Sequence, residues 1–405
     1  MFLGAFGDAG HAFPVIALGA ELVRRGHDVC VETWSKWQED CEREGMRFVA
    51  SPIYQVWPQD AWMKPYQAAV KASADSARAI REFDPDVVVA DILTVATALA
   101  AQIESRPWVT LVPHVLPTAE PGFPAYSIGA RYPRTRLGGR MWRTLDPLIH
   151  RGVEEGRVQL NGARERVGLP PLDHGHGGIS RELAIVATFP QLEYPRRHWH
   201  ETVRVTGPLM WERPSVDVEL PPGDDPLVLI APSTAQDGEQ RMLVAALDGL
   251  AGEPVRVIAT YNRRPPPRPI DVPANARLVD WLSYTRTMPL CDAIVCHAGH
   301  GTLVRALASG VPVVACPAGG DMPENAARVA WAGAGLALPR RLVTARGIRL
   351  AVRRVVGNPK YASRARELAE WAELNDGAVG AAAEVEALAA RVAGQGPVAN
   401  APEDH

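Results

Sequence analysis

The sequence lacks the features that identify several large classes of protein. No apolar run approaches the length of a membrane-spanning helix, so we expect no membrane span. Lysine occurs only four times, and the 43 basic and 46 acidic residues leave a net charge of -3 with no basic stripe, which argues against nucleic acid as a partner. A Gly-x-Ser-x-Gly elbow and a Walker loop are also absent, which removes two common catalytic signatures.

Cysteine is scarce and odd in number, which is typical of a protein in a reducing cellular compartment. The five cysteines are Cys30, Cys41, Cys291, Cys296 and Cys316. Their spacing is not paired, and a buried, reduced thiol packs as a small hydrophobe, so the pattern does not fit a disulfide framework. The chain also enters its first apolar strand without a charged leader, and we therefore predict no signal peptide and a cytoplasmic location.

Strand and helix patterns alternate along the 405 residues, which are enough for two domains. Residues 87–90 are apolar on both faces, as a central strand of a parallel sheet should be. The alternation predicts an α/β protein with two Rossmann-like, doubly wound parallel-sheet domains. We place these domains at residues 1–207 and 226–392, the second with the C-terminal helices, joined by a proline-rich linker at 208–225 and followed by a disordered tail at 393–405.

A strand-to-helix turn in the second half carries the strongest chemical signal. Residues 296–302 read Cys-His-Ala-Gly-His-Gly-Thr, between an apolar strand and a predicted helix. Glycines let the backbone approach a ligand closely, and a helix N-terminus offers unpaired N–H groups and the positive end of its dipole. The alternative is a tight turn with incidental polar residues. A phosphate site is the interpretation that the neighbouring motifs favour.

A histidine and an aspartate lie at the carboxyl edge of the first predicted sheet. His11 follows the first strand, and Asp91 ends the strand at 87–90. A carboxylate that accepts from one imidazole nitrogen leaves the other nitrogen free to take a proton, so the pair fits a general base. The same spacing also fits a histidine and an aspartate that cap helices.

Three further motifs complete a pattern that covers nearly the whole chain. Trp281 ends a strand, Gly-Gly-Asp-Met-Pro-Glu-Asn at 319–325 opens a helix, and Gly-His-Ala-Phe-Pro at 10–14 follows the first strand. Together with the turn at 296–302, they resemble the GT-B fold inverting glycosyltransferases that include the UDP-glycosyltransferases and the macrolide, or antibiotic natural-product, glycosyltransferases.

The resemblance assigns roles to residues on both sides of a central cleft. It implies that His11 and Asp91 are the catalytic pair. It implies that the nucleotide sugar contacts Ser233, Thr234, Trp281, Leu282, His297, Gly299, Gly301, Thr302, Asp321 and Met322. In the family, the tryptophan stacks on the base, the glycine-rich turn holds the diphosphate, and the aspartate and the next residue bind sugar hydroxyls.

Two positions depart from the family pattern. Met322 stands where glucose users usually carry glutamine, and a thioether cannot replace the hydrogen bonds of an amide. Arg305 stands where many members have a glutamate that binds the ribose; it could instead form a surface salt bridge. Both departures favour a thymidine diphosphate deoxysugar over UDP-glucose.

The acceptor side is less constrained by sequence. Residues 113–139 are rich in proline, glycine and aromatics, which predicts a long functional loop. We select Trp57, Trp62 and Phe123, in irregular segments, as contacts for a flat apolar acceptor.

Other polar motifs give no metal site. Asp84-Pro85-Asp86 lies before a strand, away from the predicted cleft, and the two His-x-His pairs at 174–176 and 198–200 have no partner placed by sequence.

The sequence therefore predicts a metal-independent, inverting transferase without a cofactor. It would move a hexose or deoxyhexose from a UDP- or TDP-linked donor to a hydroxyl of a small apolar natural product, such as a polyketide, macrolide or flavonoid, as a monomer or homodimer. Two alternatives are a nucleotide-sugar epimerase of the same fold and a catalytically silent helper protein for a partner transferase.

Overall fold

The fold is described from a computed structural model of the chain. The structure describes residues 1–51, 66–118, 120–173, 178–215, 217–233 and 237–395.

The first half folds around a seven-stranded sheet of parallel strands. Its strands are β1 (Phe2–Gly4), β2 (Cys30–Thr33), β3 (Arg47–Ala50), β4 (Val88–Asp91), β5 (Trp108–Val112), β6 (Leu183–Val186) and β7 (Val203–Val205). They lie in the order β3-β2-β1-β4-β5-β6-β7. The central strands β1, β4 and β5 are buried along their whole length because helices cover both faces.

Helices connect these strands and pack on both faces of the sheet. They are α1 (Ala9–Arg24), α2 (Gln38–Arg43), α3 (Gln67–Phe83), α4 (Val95–Ile103), α5 (Arg136–Arg143) and α6 (Asp146–Glu165). The first helix begins at Ala9, so that His11 lies in its first turn and Pro14 lies within it. Helix α5 starts inside the segment that the sequence analysis assigns to a loop, residues 113–139.

The second half repeats the plan with a six-stranded parallel sheet. Its strands are β8 (Leu227–Ala231), β9 (Arg256–Thr260), β10 (Ala276–Val279), β11 (Ala293–Cys296), β12 (Val313–Ala315) and β13 (Gly335–Ala337). They lie in the order β10-β9-β8-β11-β12-β13. Its helices are α7 (Arg241–Leu250), α8 (Tyr284–Thr287), α9 (His300–Ala308), α10 (Met322–Ala332), α11 (Ala345–Val356), α12 (Pro359–Leu374) and α13 (Gly377–Gln395). The predicted fold class, two doubly wound parallel-sheet units, is confirmed.

The last helix returns to the first unit. Residues of α13, among them Val385 and Leu388, are buried in the same apolar cluster as Leu3 and Ile16. Glu386 of α13 accepts hydrogen bonds from Arg25 at 2.8 Å and from the ring of His27 at 2.7 Å. The predicted second domain, residues 226–392, therefore ends in a helix that completes the core of the first.

Candidate active site

His11 and Asp91 meet at the carboxyl edge of the first sheet. The ring Nδ1 of His11 lies 2.8 Å from Asp91 Oδ1, and Asp91 is 1% exposed. Burial lowers the pKa of His11, but the charge and hydrogen bond of Asp91, with smaller contributions from Asp321 and Asp8, outweigh burial and raise that pKa above 6.5. Because a carboxylate only accepts, Nδ1 carries the proton, and Nε2 of the neutral ring is a free base.

The orientation of Asp91 is set by the turn that follows β4. Its second oxygen, Oδ2, accepts from the backbone N–H of Leu93 at 3.2 Å, and its backbone carbonyl accepts from Thr94 Oγ1 at 2.6 Å. Asp91 therefore both caps this turn and orients the ring of His11. The two interpretations of Asp91 in the sequence analysis, a capping residue and a partner of His11, are compatible.

A second histidine, which the sequence analysis did not select, faces His11. The rings of His114 and His11 lie 6.3 Å apart, edge to face. His114 Nδ1 donates to the carbonyl of Val115 at 2.8 Å and lies 3.2 Å from the hydroxyl of Tyr126, so its Nε2 carries the lone pair. Burial lowers the pKa of His114, which keeps the ring neutral. The sequence could have indicated His114, because this residue follows the carboxyl end of β5, as His11 follows the end of β1.

The glycine-rich turn leads from β11 into α9 with an open helix start. Ala298 adopts a left-handed conformation with φ of 63°, and Gly299 is the N-cap residue without a side chain to cap the helix. A Cβ on Gly299 would lie 2.2 Å from His297 Nε2, whereas a Cβ on Gly301 would meet no protein atom within 4 Å. A side chain at 299 would therefore displace the ring of His297, whereas the space beside Gly301 is open.

Two more histidines surround this turn. His297 Nδ1 lies 3.3 Å from the carbonyl of Ala231, and burial lowers its pKa. His300, the first residue of α9, is 8% exposed; burial, with a further contribution from His114, lowers its pKa to about 4, and its Nε2 has no hydrogen-bond partner among the described residues.

Asp321 lies at the start of α10, in the second unit, and its charge acts on His11 of the first unit. Its Oδ2 accepts from Asn325 Nδ2 at 2.9 Å, and the same amide donates to the carbonyl of Ala298 at 3.1 Å. Asn325 thus holds Asp321 against the glycine-rich turn. The charge of Asp321 also raises the pKa of His11, a residue of the first unit.

A buried ion network holds α10 against the first unit. Arg328 of α10 donates to Glu324 at 2.8 Å, to the carbonyl of Leu192 at 3.1 Å and to Glu193 at 3.2 Å. Its guanidinium carbon lies 3.5 Å from the ring centroid of Tyr194. Glu193 also accepts from the backbone N–H of Leu116 at 2.6 Å. Because a buried charge that loses its partner is costly, this network restrains α10, and with it Asp321, relative to the first sheet.

The remaining residues that are predicted to contact the donor lie along the carboxyl edge of the second sheet. Ser233 is buried just beyond β8, and Leu282 is buried, so that only its backbone is available to a ligand. The Arg263 guanidinium lies 4.9 Å from the ring centroid of Trp281, whose Nε1 has no partner among the described residues. Gly301 is exposed and Thr302 is partly exposed at the start of α9.

Arg305 connects α9 to the linker and does not form the surface salt bridge considered above. Its guanidinium donates to the carbonyl of Trp211 at 2.8 Å and to Thr285 Oγ1 at 2.7 Å. These bonds occupy the side chain in a structural role.

Two predicted ligand contacts are packed more tightly than the sequence analysis expects. Phe123 is 5% exposed, and its ring packs against Tyr132, Tyr194 and the guanidinium of Arg196. This packing leaves little of the ring exposed, and an acceptor contact through Phe123 stays a prediction. Met322 is 9% exposed within an apolar cluster that contains residues of both units, among them Val115 and Leu192 of the first. The acceptor residues Trp57 and Trp62 and the donor residue Thr234 lie outside the described residues.

The described residues of the motifs set aside as metal sites have other partners. Asp84 is the left-handed C-cap of α3 and pairs with Arg106. His200 bonds to Thr202 at 2.8 Å, and residues 174–176 lie outside the described ranges. Within those ranges, no group of three or more histidine, cysteine, aspartate or glutamate side chains is arranged to hold a metal ion.

Comparison with known proteins identifies the type of enzyme. Residues 243–385 match the C-terminal domain family of erythromycin biosynthesis protein CIII-like proteins. Over 412 residues, the chain is 29% identical to 4'-demethylrebeccamycin synthase of Lentzea aerocolonigenes, an alignment that spans 94% of this chain and 97% of that protein. The crystal structure of the kitacinnamycin glycosyltransferase superposes with a TM-score of 0.72 at 21% identity, covering 96% of this chain and 98% of that one. The chain is a nucleotide-sugar glycosyltransferase of the GT-B fold.

Two further relatives bear on the chemistry of this glycosyltransferase. O-mycaminosyltylonolide 6-deoxyallosyltransferase of Streptomyces fradiae is 28% identical over 410 residues, which span 90% of this chain and 91% of that protein. The glycosyltransferase VinC, solved in complex with dTDP, superposes with a TM-score of 0.69 at 18% identity over 96% of this chain and 99% of that one. The relatives therefore lie among the enzymes of natural-product biosynthesis.

Proposed function

We propose that this glycosyltransferase moves a deoxyhexose or hexose from a thymidine or uridine diphosphate sugar to a hydroxyl of a small apolar natural product, with inversion and without a metal. Two observations carry the proposal: the partly exposed His11 is oriented by the buried Asp91, and the start of α9 has no side-chain cap. A base on one wall and an anion site on the other are the two elements that a direct displacement requires.

The acceptor reacts on the His11 side. Nε2 of the neutral ring takes the proton of the acceptor hydroxyl, while Asp91 stabilises the imidazolium that forms. The acceptor oxygen bonds to the anomeric carbon of the sugar as the bond from that carbon to the phosphate oxygen breaks. Attack from the face opposite the leaving group inverts the configuration, and the nucleoside diphosphate departs with the bonding electrons.

The donor is held on the α9 side. The first N–H groups of an α-helix have no intrahelical acceptors, so the start of α9 offers donors to the charge that develops on the diphosphate. Because a Cβ on Gly301 would enter open space, we assign that space to the phosphates. With Nδ1 of His297 given to the carbonyl of Ala231, Nε2 donates to a phosphate only when the ring is protonated, a state that the nearby anion favours. Asp321, held by Asn325, accepts from sugar hydroxyls.

Chelators should leave the rate unchanged, because the helix start and His297 supply the positive charge that a metal would otherwise supply. The measurement is initial rate with EDTA, followed by addition of magnesium or manganese. Loss of activity that either metal restores would show that the diphosphate is held in a different way.

The donor preference should favour a deoxysugar. Met322 offers only apolar, polarisable surface where an amide would bind hydroxyls, and each lost hydrogen bond costs about 0.5–1.5 kcal/mol net. The expected result is a kcat/KM for a dTDP-6-deoxyhexose that exceeds the value for UDP-glucose. The relative named for 6-deoxyallosyl transfer and the dTDP complex of a structural neighbour support this direction.

Met322→Gln tests this preference only if the variant's stability is measured too. The side chain is 9% exposed, so a glutamine there buries an amide, and an unpaired buried amide destabilises by about 1–3 kcal/mol. A kcat/KM ratio that moves towards UDP-glucose at unchanged melting temperature supports the assignment. A wild type that already prefers UDP-glucose, with no change in Met322→Gln, contradicts it.

Two other functions fit the fold less well. A nucleotide-sugar epimerase needs acid and base carboxylates around the sugar, and among the described cleft residues the base is a histidine. A silent helper protein has no need of the oriented His11–Asp91 pair. Incubation with several nucleotide sugars, with and without phenolic or polyketide acceptors, distinguishes the three by mass: transfer, isomerised donor, or no change.

A further inference from the structure

The exposed apolar side chains of the first unit are concentrated along α5 and the start of α6. Five large apolar side chains there are 42–76% exposed: Ile128 55%, Leu137 76%, Met141 60%, Leu145 42% and Leu148 69%. Helix α5 buries none of its residues. Leu137 and Met141 are four residues apart and therefore share one face of α5, and Leu145 and Leu148 continue the apolar surface past its end.

Arginines accompany this apolar face. Within residues 128–151 the arginines are Arg131, Arg134, Arg136, Arg140, Arg143 and Arg151, against a single acidic residue, Asp146. All six arginines are exposed, and none forms an ion pair with a described residue. Arg136 and Arg140 lie beside Leu137 and Met141 on α5. The net charge of -3 for the whole chain therefore conceals a cationic patch, and the expectation that the chain has no basic stripe is wrong for this segment.

We propose that this surface, residues 128–151, docks the glycosyltransferase on an anionic lipid bilayer. An amphipathic helix with leucines on one face and arginines beside it lies in the headgroup region, with its apolar side chains below and its guanidinium groups against lipid phosphates. Among the helices of the described residues, none is long and apolar enough to cross a membrane.

The combination of charge and apolar surface favours an anionic bilayer over a second copy of the chain or a nucleic acid. In a symmetric dimer built on this face, the six arginines of one copy would meet the six of the other, which is repulsive. Nucleic acid would pair with the arginines but would leave the five apolar side chains in water. Lipid headgroups and acyl chains match both features together.

The surface is joined to the cleft by the loop that carries His114. The backbone N–H of Gly122 donates to Asp146 Oδ1 at 2.9 Å, which fixes the start of α6 to that loop. Further along, a Cβ on Gly129 would lie 2.9 Å from Pro323, at the start of α10. The loop thus connects the segment that carries His114 to the proposed membrane face.

The test is co-sedimentation of the full chain with phosphatidylcholine vesicles that contain or lack phosphatidylglycerol. We expect binding to the anionic vesicles that weakens with salt. Arg136→Gln/Arg140→Gln and Leu137→Ser/Met141→Ser should each reduce it on the order of tenfold. The matched controls, Arg340→Gln/Arg341→Gln and Leu342→Ser/Leu374→Ser, alter exposed residues elsewhere and should bind as wild type.

Vesicle binding needs no substrate, so its outcome is independent of the proposed reaction. Activity on a water-soluble acceptor should be unchanged in both test variants, which confirms that they fold. No binding to either vesicle, or equal binding by the test variants and the controls, would overturn the proposal. A dimer in light scattering that Leu137→Ser/Met141→Ser abolishes, without vesicle binding, would assign the face to a second copy and also overturn it.

Discussion

His11→Ala should lower kcat by at least about a hundredfold while the donor still binds with nearly the same affinity. The variant removes the only described base that a buried carboxylate orients in the cleft, and it leaves the glycine-rich turn and α10 unchanged. Binding of the nucleoside diphosphate, measured by calorimetry, should therefore match the wild type, while single-turnover transfer is slow.

His27→Ala is the matched control for this substitution. His27 also pairs with a carboxylate, Glu386, at 2.7 Å, but it lies beyond the C-terminal end of α1, whereas His11 lies in the first turn of that helix. It should keep kcat and change only stability. If His11→Ala transfers sugar to an ordinary alcohol acceptor at the wild-type rate, another group removes the proton.

Asp91→Asn should slow transfer by roughly a hundredfold to ten-thousandfold and should also change the pH profile. The amide has one oxygen for two donors, the His11 ring and the backbone N–H of Leu93. If the oxygen stays on Leu93, the amide NH₂ faces Nδ1 and forces the proton onto Nε2, which is the wrong tautomer for a base.

The pH profile of kcat/KM should show that Asp91 raises the pKa of His11. In the wild type, Asp91 raises the pKa of His11 above 6.5 against the opposing effect of burial, so kcat/KM should fall as the pH drops through that raised value. Without the carboxylate charge, burial prevails, and the acidic limb of kcat/KM should move to lower pH. An acidic limb that stays in place would mean that it reports a different group.

The sheets and the contact between His11 and Asp91 were predictable from sequence for one physical reason. Apolar runs such as residues 87–90 are buried on both faces only in parallel sheets, and the carboxyl ends of parallel strands share an edge. His11 and Asp91 each follow such a strand, so their meeting at 2.8 Å follows from the topology.

Contacts between the two units could not be predicted in this way, because they depend on how the units pack against each other. The position of His300 opposite His114 depends on how α10 and its Arg328 pack against Glu193, which no local pattern encodes. The aromatic character of Phe123 fits a ligand contact and a core ring equally well, and only the fold shows the ring covered by Tyr132 and Tyr194.

The return of α13 to the first unit has a consequence for recombining these enzymes. The helix fills the core beside Leu3 and Ile16, and a Cβ on Gly377, at its first residue, would lie 2.3 Å from the carbonyl oxygen of Pro208. A hybrid that joins the acceptor half of one glycosyltransferase to the donor half of another at the linker would replace part of the acceptor half's own interior. A viable exchange has two junctions, one in the linker and one before Gly377, so that residues 1–207 keep the helix with which they fold.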